Sequence, residues 1–214
     1  MDFYGFYTGK IFDAYQYLGA HTEKTGVTFR TFAPSASRIA VIGEFNDWQE
    51  SEMNKVYDGN FWECYIPEAK PGQMYKYRIY DRNDNPVDHC DPYGFGMELR
   101  PNSASIVRDM SKYKFKDSKW MQNRSDCRKK PLNIYEIHFG SFRKPSDKTD
   151  DWYTYEEMID ILIPYLTENG YNCLEIMPLN EYPCDESWGY QNTGFFAPTA
   201  RYGTPDELKK FVDE

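Results

Sequence analysis

Histidine is scarce in this chain, with three in 214 residues, and the five cysteines include no C-x-x-C pair. Without closely spaced ligands of either kind, a zinc-type site has no sequence basis. The one cluster resembling metal ligands, His89-Cys90-Asp91, matches no common zinc spacing and reads as a turn beside a strand end. Neither a metal nor a cofactor is expected. Cys64, Cys90, Cys127, Cys173 and Cys184 are odd in number and widely separated, so they are expected as free thiols. Positive charge is also short: 25 Lys and Arg stand against 34 Asp and Glu, a net charge of -9. That balance lacks the basic patch needed to hold a polyanion, which argues against nucleic acid and favours a neutral ligand. No apolar run approaches the roughly 20 residues of a membrane span. The N-terminal M-D-F-Y-G-F-Y-T-G-K has no basic segment followed by an apolar one. A cytoplasmic protein without a membrane partner is expected.

Aromatic residues, by contrast, are abundant, at 18% with 19 Tyr and 5 Trp. Such a surplus points weakly toward carbohydrate contacts, because flat rings suit the apolar faces of pyranoses. The length allows two modest domains, each with its own core. From about Gly26 to Val107 the pattern is strand, turn, strand. Val27, Phe29 and Thr31 alternate with Thr28, Arg30 and Phe32, then Ile39 and Val41, Phe61 to Ile66, and Met74 to Tyr80 follow. Ala33-Pro34-Ser35, Asp58-Gly59-Asn60, Pro71-Gly72 and Asn83-Asp84-Asn85 separate them as turns. This spacing predicts an antiparallel, immunoglobulin-like sandwich, with no disulfide within it.

A polar, basic stretch at 109–130 reads as a surface connector. After Pro131 the texture becomes strand, helix, strand, loop, helix. Ile134 to Gly140 is predicted as the first strand and Cys173 to Leu179 as a parallel second one. The helix between them starts with a capping box at Thr154-Tyr155-Glu156-Glu157 and carries its apolar stripe on Tyr155, Met158, Ile159, Leu162, Tyr165 and Leu166. Pro164 is expected to bend it, and Asn169-Gly170 to end it. A last helix opens on Thr204-Pro205-Asp206-Glu207. Before it lies E-S-W-G-Y-Q-N-T-G-F-F-A-P-T-A-R-Y-G-T-P, Glu186 to Pro205, an aromatic and glycine-rich loop leaving the C-terminal end of a parallel strand. Barrel enzymes place substrate contacts there.

Four motifs in order, I-Y-E-I-H-F-G-S-F-R (Ile134 to Arg143), M-P-L-N-E-Y-P (Met177 to Pro183), S-W-G-Y-Q and F-A-P-T-A-R-Y-G-T-P, resemble those of the bacterial glycogen branching enzymes of the α-amylase superfamily. G-E-F-N-D-W (Gly43 to Trp48) and Y-K-Y-R-I (Tyr75 to Ile79) resemble the glycogen-binding sandwich that precedes the barrel in such enzymes. Phe142 replaces a usual tryptophan, and Cys184 and Glu186 replace apolar and glycine residues, departures that bear on acceptor contacts.

The resemblance implies an N-terminal extension at 1–18, a β-sandwich glycogen-binding-type module at 19–108, a connector at 109–130, and at 131–214 the first two βα units of a TIM (β/α)8 barrel. Two units cannot close a barrel, so the chain is expected to be a truncated front portion whose open strand edges offer a surface for self-association. The implied chemistry is retaining cleavage of an α-1,4-glucan and transfer of the chain to a 6-hydroxyl, forming α-1,6 branches in glycogen biosynthesis. The family's catalytic carboxylates lie on later strands. No catalytic residue is therefore expected in this chain, and the 214 residues alone are expected to be inactive. α-Glucan or glycogen is the expected partner. A non-catalytic glucan-binding protein, or a related debranching or trehalose-releasing hydrolase, stand as alternatives.

Of the family's active-site residues, Tyr190 is present, implied to stack under a sugar ring; the competing role is a core tyrosine supporting the loop. Gln191 is assigned either to substrate or to backbone of the turn, and Trp188 to loop scaffold. In the sandwich, Trp48 is implied to stack on glucan and Lys76 to donate to its hydroxyls, against a tryptophan that packs its loop. Glu136, Glu175, Glu181 and Asp185 are not assembled into a catalytic pair; the first two are expected to be satisfied within their strands, and His138 to be a hydrogen-bonded interior residue.

Overall fold

The computed structural model describes residues 1–124 and 129–214. Cys127, within the basic connector, lies outside the described residues. A short helix α1 (Phe3–Tyr7) leads into β1 (Gly19–Thr22), β2 (Val27–Phe32), β3 (Arg38–Gly43), β4 (Ser51–Glu52), β5 (Asn54–Val56), β6 (Phe61–Ile66), β7 (Met74–Tyr80), β8 (Pro86–His89) and β9 (Ser105–Ile106). They form two antiparallel sheets, one ordered β1-β2-β6-β5 and the other β4-β3-β7-β8 with β9 also on β7. The sandwich is the predicted one, and the alternation explains it: Val27 and Phe29 of one sheet meet Ile39, Val41, Tyr75 and Tyr77 of the other in one buried cluster. At the centre Asp91 is fully buried. Its carboxylate accepts from the hydroxyls of Tyr75 (2.7 Å) and Tyr77 (3.0 Å). The predicted turn at His89-Cys90-Asp91 is thus a polar pin of the sandwich.

The connector carries a six-residue helix, α2 (Ser118–Asn123), on the surface. Then β10 (Ile134–Ile137), a helical turn α3 (Phe139–Phe142), α4 (Tyr155–Glu168) and β11 (Cys173–Ile176) follow. β10 and β11 pair in parallel with Glu136 opposite Glu175. The predicted strand to Gly140 stops at Ile137 because its partner offers four residues, and the chain turns to bury Phe139 and Gly140. A Cβ on Gly140 would collide with the buried Tyr202 hydroxyl, so glycine allows this approach. The capping box of α4 forms as expected, and Pro164 lies within the helix.

Part of the aromatic loop becomes a hairpin, β12 (Asn180–Glu181) against β13 (Gly194–Pro198), before α5 (Pro205–Asp213). Tyr155, Met158 and Leu162 of α4, Phe211 of α5, Ile137, Phe139 and Tyr202 share a second buried cluster. Cys64, Cys90, Cys173 and Cys184 are free thiols. No helix among the described residues is long and apolar enough to cross a membrane.

Candidate functional site

The loop between β12 and β13 is built on buried charge. Arg201, its side chain almost fully buried, donates through Nη1 to Glu181 Oε1 (2.7 Å) and the Tyr182 carbonyl (2.9 Å), and through Nε to Asp185 Oδ1 (3.1 Å). Its guanidinium lies 3.7 Å from the centroid of the Tyr182 ring. Glu181 also accepts from the Tyr182 N–H, the Thr199 hydroxyl and the Ala200 N–H, so both its oxygens are engaged. A buried ion pair persists only with such full satisfaction. From the segment between β8 and β9 of the sandwich, Arg100 Nε reaches Asp185 Oδ2 at 3.0 Å. Burial raises the Asp185 carboxyl, but the guanidiniums of Arg201 and Arg100 outweigh it and hold the group below its ordinary value.

Asp185 opens the turn that carries the candidate substrate residues. Trp188 follows at φ 53°, in the left-handed region, then Gly189 at φ 88°. A Cβ on Gly189 would approach the Pro178 carbonyl to 2.5 Å, so the glycine lets the turn fold over the end of β11. Trp188 stacks on His138 with centroids 5.6 Å apart, tying the loop to the end of β10. His138 is hydrogen bonded to Ser141 Oγ at 2.9 Å; burial and the Arg201 charge lower its pKa.

Tyr190 follows with its N–H on the Ser187 carbonyl, and the residue is 65% exposed. A core tyrosine is therefore not what the structure contains at this position. Gln191 is exposed beside it, and among the described residues its side chain makes no hydrogen bond to backbone or side chain. The opposite end of the loop packs on the sandwich: Phe196 stacks on Tyr93 (5.0 Å), and a Cβ on Gly194 would meet Met97 at 2.7 Å.

Trp48 and Lys76 lie elsewhere, on the sandwich. Trp48 follows β3 at φ 58° and is 39% exposed; its N–H donates to the Gly43 carbonyl, and its side chain has no hydrogen bond among the described residues. Lys76 is half-buried on β7, opposite Ile42. The two are not brought into contact with Tyr190 or Gln191 by any hydrogen bond or ring stacking. Glu136 and Glu175 depart from expectation: both are exposed and, among the described residues, neither makes a side-chain hydrogen bond, because no element covers that face of the parallel pair. The network around Arg201 escaped sequence reading. The available signal was an arginine between Ala200 and Tyr202 in an apolar stretch, where a charge must find a partner.

Residues 17–94 match the family model described as carbohydrate-binding module 48, the isoamylase N-terminal domain. The 1,4-α-glucan branching enzyme GlgB of Fusobacterium nucleatum subsp. nucleatum is 44% identical over 216 residues, covering 100% of this chain and 35% of that protein. The enzyme of the same name from Dechloromonas aromatica is 44% identical over 98% of this chain and 34% of its own length. Among solved structures, a candidate α-amylase from Salmonella typhimurium superposes with a TM-score of 0.72 at 26% identity, over 92% of this chain and 30% of that one. The chain spans about a third of the length of the curated relatives it matches. From end to end the chain is similar to the N-terminal third of the bacterial 1,4-α-glucan branching enzymes, and its sandwich matches carbohydrate-binding module 48.

Proposed function

We propose that this chain supplies the N-terminal part of a retaining 1,4-α-glucan branching enzyme working in cytoplasmic glycogen biosynthesis. The division is 1–18 extension, 19–108 glycogen-binding-type sandwich, 109–130 connector and 131–214 the opening of a (β/α)8 barrel. The observation that carries the reading is Tyr190: a 65% exposed residue on a loop beyond a parallel strand, a loop held by the Arg201–Asp185–Arg100 network. Such a ring can stack on glucose as positive charge develops at the anomeric carbon, a charge that its π face favours. Gln191, exposed beside it, is assigned to hydrogen bond sugar hydroxyls. Trp48 and Lys76 serve as a separate contact on the sandwich.

The reaction needs two carboxyl groups about 5 Å apart, one attacking the anomeric carbon, the other protonating the leaving oxygen and later deprotonating the acceptor hydroxyl. Glu181 and Asp185 are committed to arginine, and the proposal assigns the pair to strands beyond this chain. The exposed Glu136–Glu175 face becomes barrel interior when further strands close on it, and the open edges otherwise favour self-association. α-Glucan is the partner, not nucleic acid.

Two measurements test this. The 214-residue protein should leave iodine-stained amylose coloured; loss of colour would mean that the cleaving groups lie within it. Maltoheptaose should perturb the fluorescence of Trp188, two residues from Tyr190, and Tyr190→Ala should weaken that binding about five-fold, the factor for roughly 1 kcal/mol of stacking. Equal affinity in the variant would remove Tyr190 from the site.

A further inference from the structure

Three exposed aromatic residues, Trp48, Tyr57 and Trp188, have left-handed backbones, at φ 58°, 58° and 53°. That region is unfavourable for a bulky side chain, and residues held there against their preference cluster at ligand sites. Trp48 and Trp188 belong to the segments already discussed. Tyr57 does not, although it lies within residues 17–94 that match the carbohydrate-binding module.

Tyr57 occupies the tip of the β5–β6 hairpin. One face of its ring is stacked on Phe3 of α1, centroids 4.0 Å apart and planes 6° from parallel, yet the residue is 65% exposed. The residues that follow it in the turn belong to a small polar network with Tyr7. The Tyr7 hydroxyl donates to Asp58 Oδ2 (2.5 Å) and accepts from Asn60 Nδ2 (2.9 Å), while the Asn60 N–H donates to Asp58 Oδ1 (3.0 Å). Asn or Gly would hold this turn with less strain than tyrosine. The combination is a flat apolar plate, backed by a second ring, on a turn that also carries a carboxylate and an amide.

We propose that Tyr57 is a second carbohydrate platform of the sandwich, separate from Trp48, that takes the apolar face of a glucose unit in an α-1,4-glucan. Asp58 and Asn60 accept from and donate to the hydroxyls of the same sugar. This rests on the glucan-binding reading above. Trp48 follows a strand of the other sheet, so the two platforms can engage separate stretches of one polymer and strengthen each other through effective concentration.

Native electrophoresis through gels containing glycogen tests it on the whole 214-residue protein, with Tyr57→Gly, Tyr57→Phe and Trp48→Ala beside wild type. Tyr57→Gly suits the left-handed backbone, and an undiminished melting temperature will show that the hairpin is intact. Tyr57→Leu, which keeps an apolar partner for Phe3, is the second variant should the melt fall. Wild type and Tyr57→Phe should be retarded alike, with Tyr57→Gly about five-fold weaker in affinity. Wild-type retardation in Tyr57→Gly or Tyr57→Leu, or a loss in Tyr57→Phe as large as in Tyr57→Gly, would overturn the platform. If only Trp48→Ala loses retardation, Tyr57 alone falls. If no protein is retarded, glucan binding by the sandwich falls with it.

Discussion

The sandwich and the segment after Pro131 are both ordered, but by different means. In the sandwich, apolar residues from two sheets close on one another, and Val27, Phe29, Ile39, Val41, Tyr75 and Tyr77 are completely buried. In the parallel pair only Ile137 is buried, Ile134 is 48% exposed, and two glutamates oppose each other on an open face. What the second region lacks in sheet burial it replaces with helices packed on one side and a charged network under the loop. Stability there should therefore depend on a few polar groups, whereas the sandwich should tolerate loss of any single surface contact.

Arg201→Ala tests that difference most severely. It leaves Glu181 buried without its cation, a change that costs about 3–5 kcal/mol. Hydrogen exchange should rise across β12, β13 and the 182–193 loop while β2, β3, β6 and β7 keep their protection. Proteases should cut the loop. Equal loss of protection in the sandwich strands would show that the two regions unfold as one unit and break the comparison.

The sandwich has its own exception, Asp91. Burial raises its carboxyl from 3.8 to about 6, against the opposing hydrogen bonds from Tyr75, Tyr93 and Tyr77. The folded state then holds the proton more tightly than the unfolded chain. The stabilisation is fully present below pH 3.8 and is lost as pH rises through about 6, a change of about 3 kcal/mol. Asp91→Asn mimics the protonated group. The stability of wild type relative to Asp91→Asn, from urea titrations at several pH values, should fall between pH 4 and pH 7; a pH-independent difference would mean that Asp91 titrates normally.

The strands of the sandwich were legible because their determinants are local. Alternation and turn residues mark β2, β6 and β7 with the bounds the structure shows, and the two capping boxes mark α4 and α5. What escaped depends on distant partners. Arg100 meets Asp185 across 85 positions, and Arg201 meets Glu181 across 20, so neither pairing has a periodic signature. β10 ends early for a similar reason, since its length is set by β11 and its turn by Tyr202. Tyr190 entered through a resemblance, and the structure adds its exposure. Tyr57 sits in no motif and is noticeable only once its φ and its stacking on Phe3 are known.

The smallest expected effect concerns the helix that closes the second region. At nine residues α5 is too short to persist alone, and it depends on packing through Phe211 and on its ends. Asp213 anchors the far end, accepting from the Tyr113 hydroxyl (2.6 Å) and the Lys116 N–H (3.0 Å). At the near end the Thr204 hydroxyl accepts from the Glu207 N–H at 3.4 Å, and Glu207 accepts from the Thr204 N–H at 2.5 Å. Pro205 has no N–H to satisfy. Thr204→Ala strips one half of the box while Glu207 keeps the other, and water can reach the freed amide, so the loss should be about 1 kcal/mol. The equivalent bond in α4, Glu157 N–H to Thr154, is shorter at 3.2 Å, so Thr154→Ala should cost somewhat more. Both losses should appear in hydrogen exchange of α4 and α5 but not of β2 or β7. Thr204→Ser, which keeps the hydroxyl, should recover most of the loss. If it does not, the threonine methyl rather than the cap holds this helix, and the second region is less dependent on polar groups than the comparison requires.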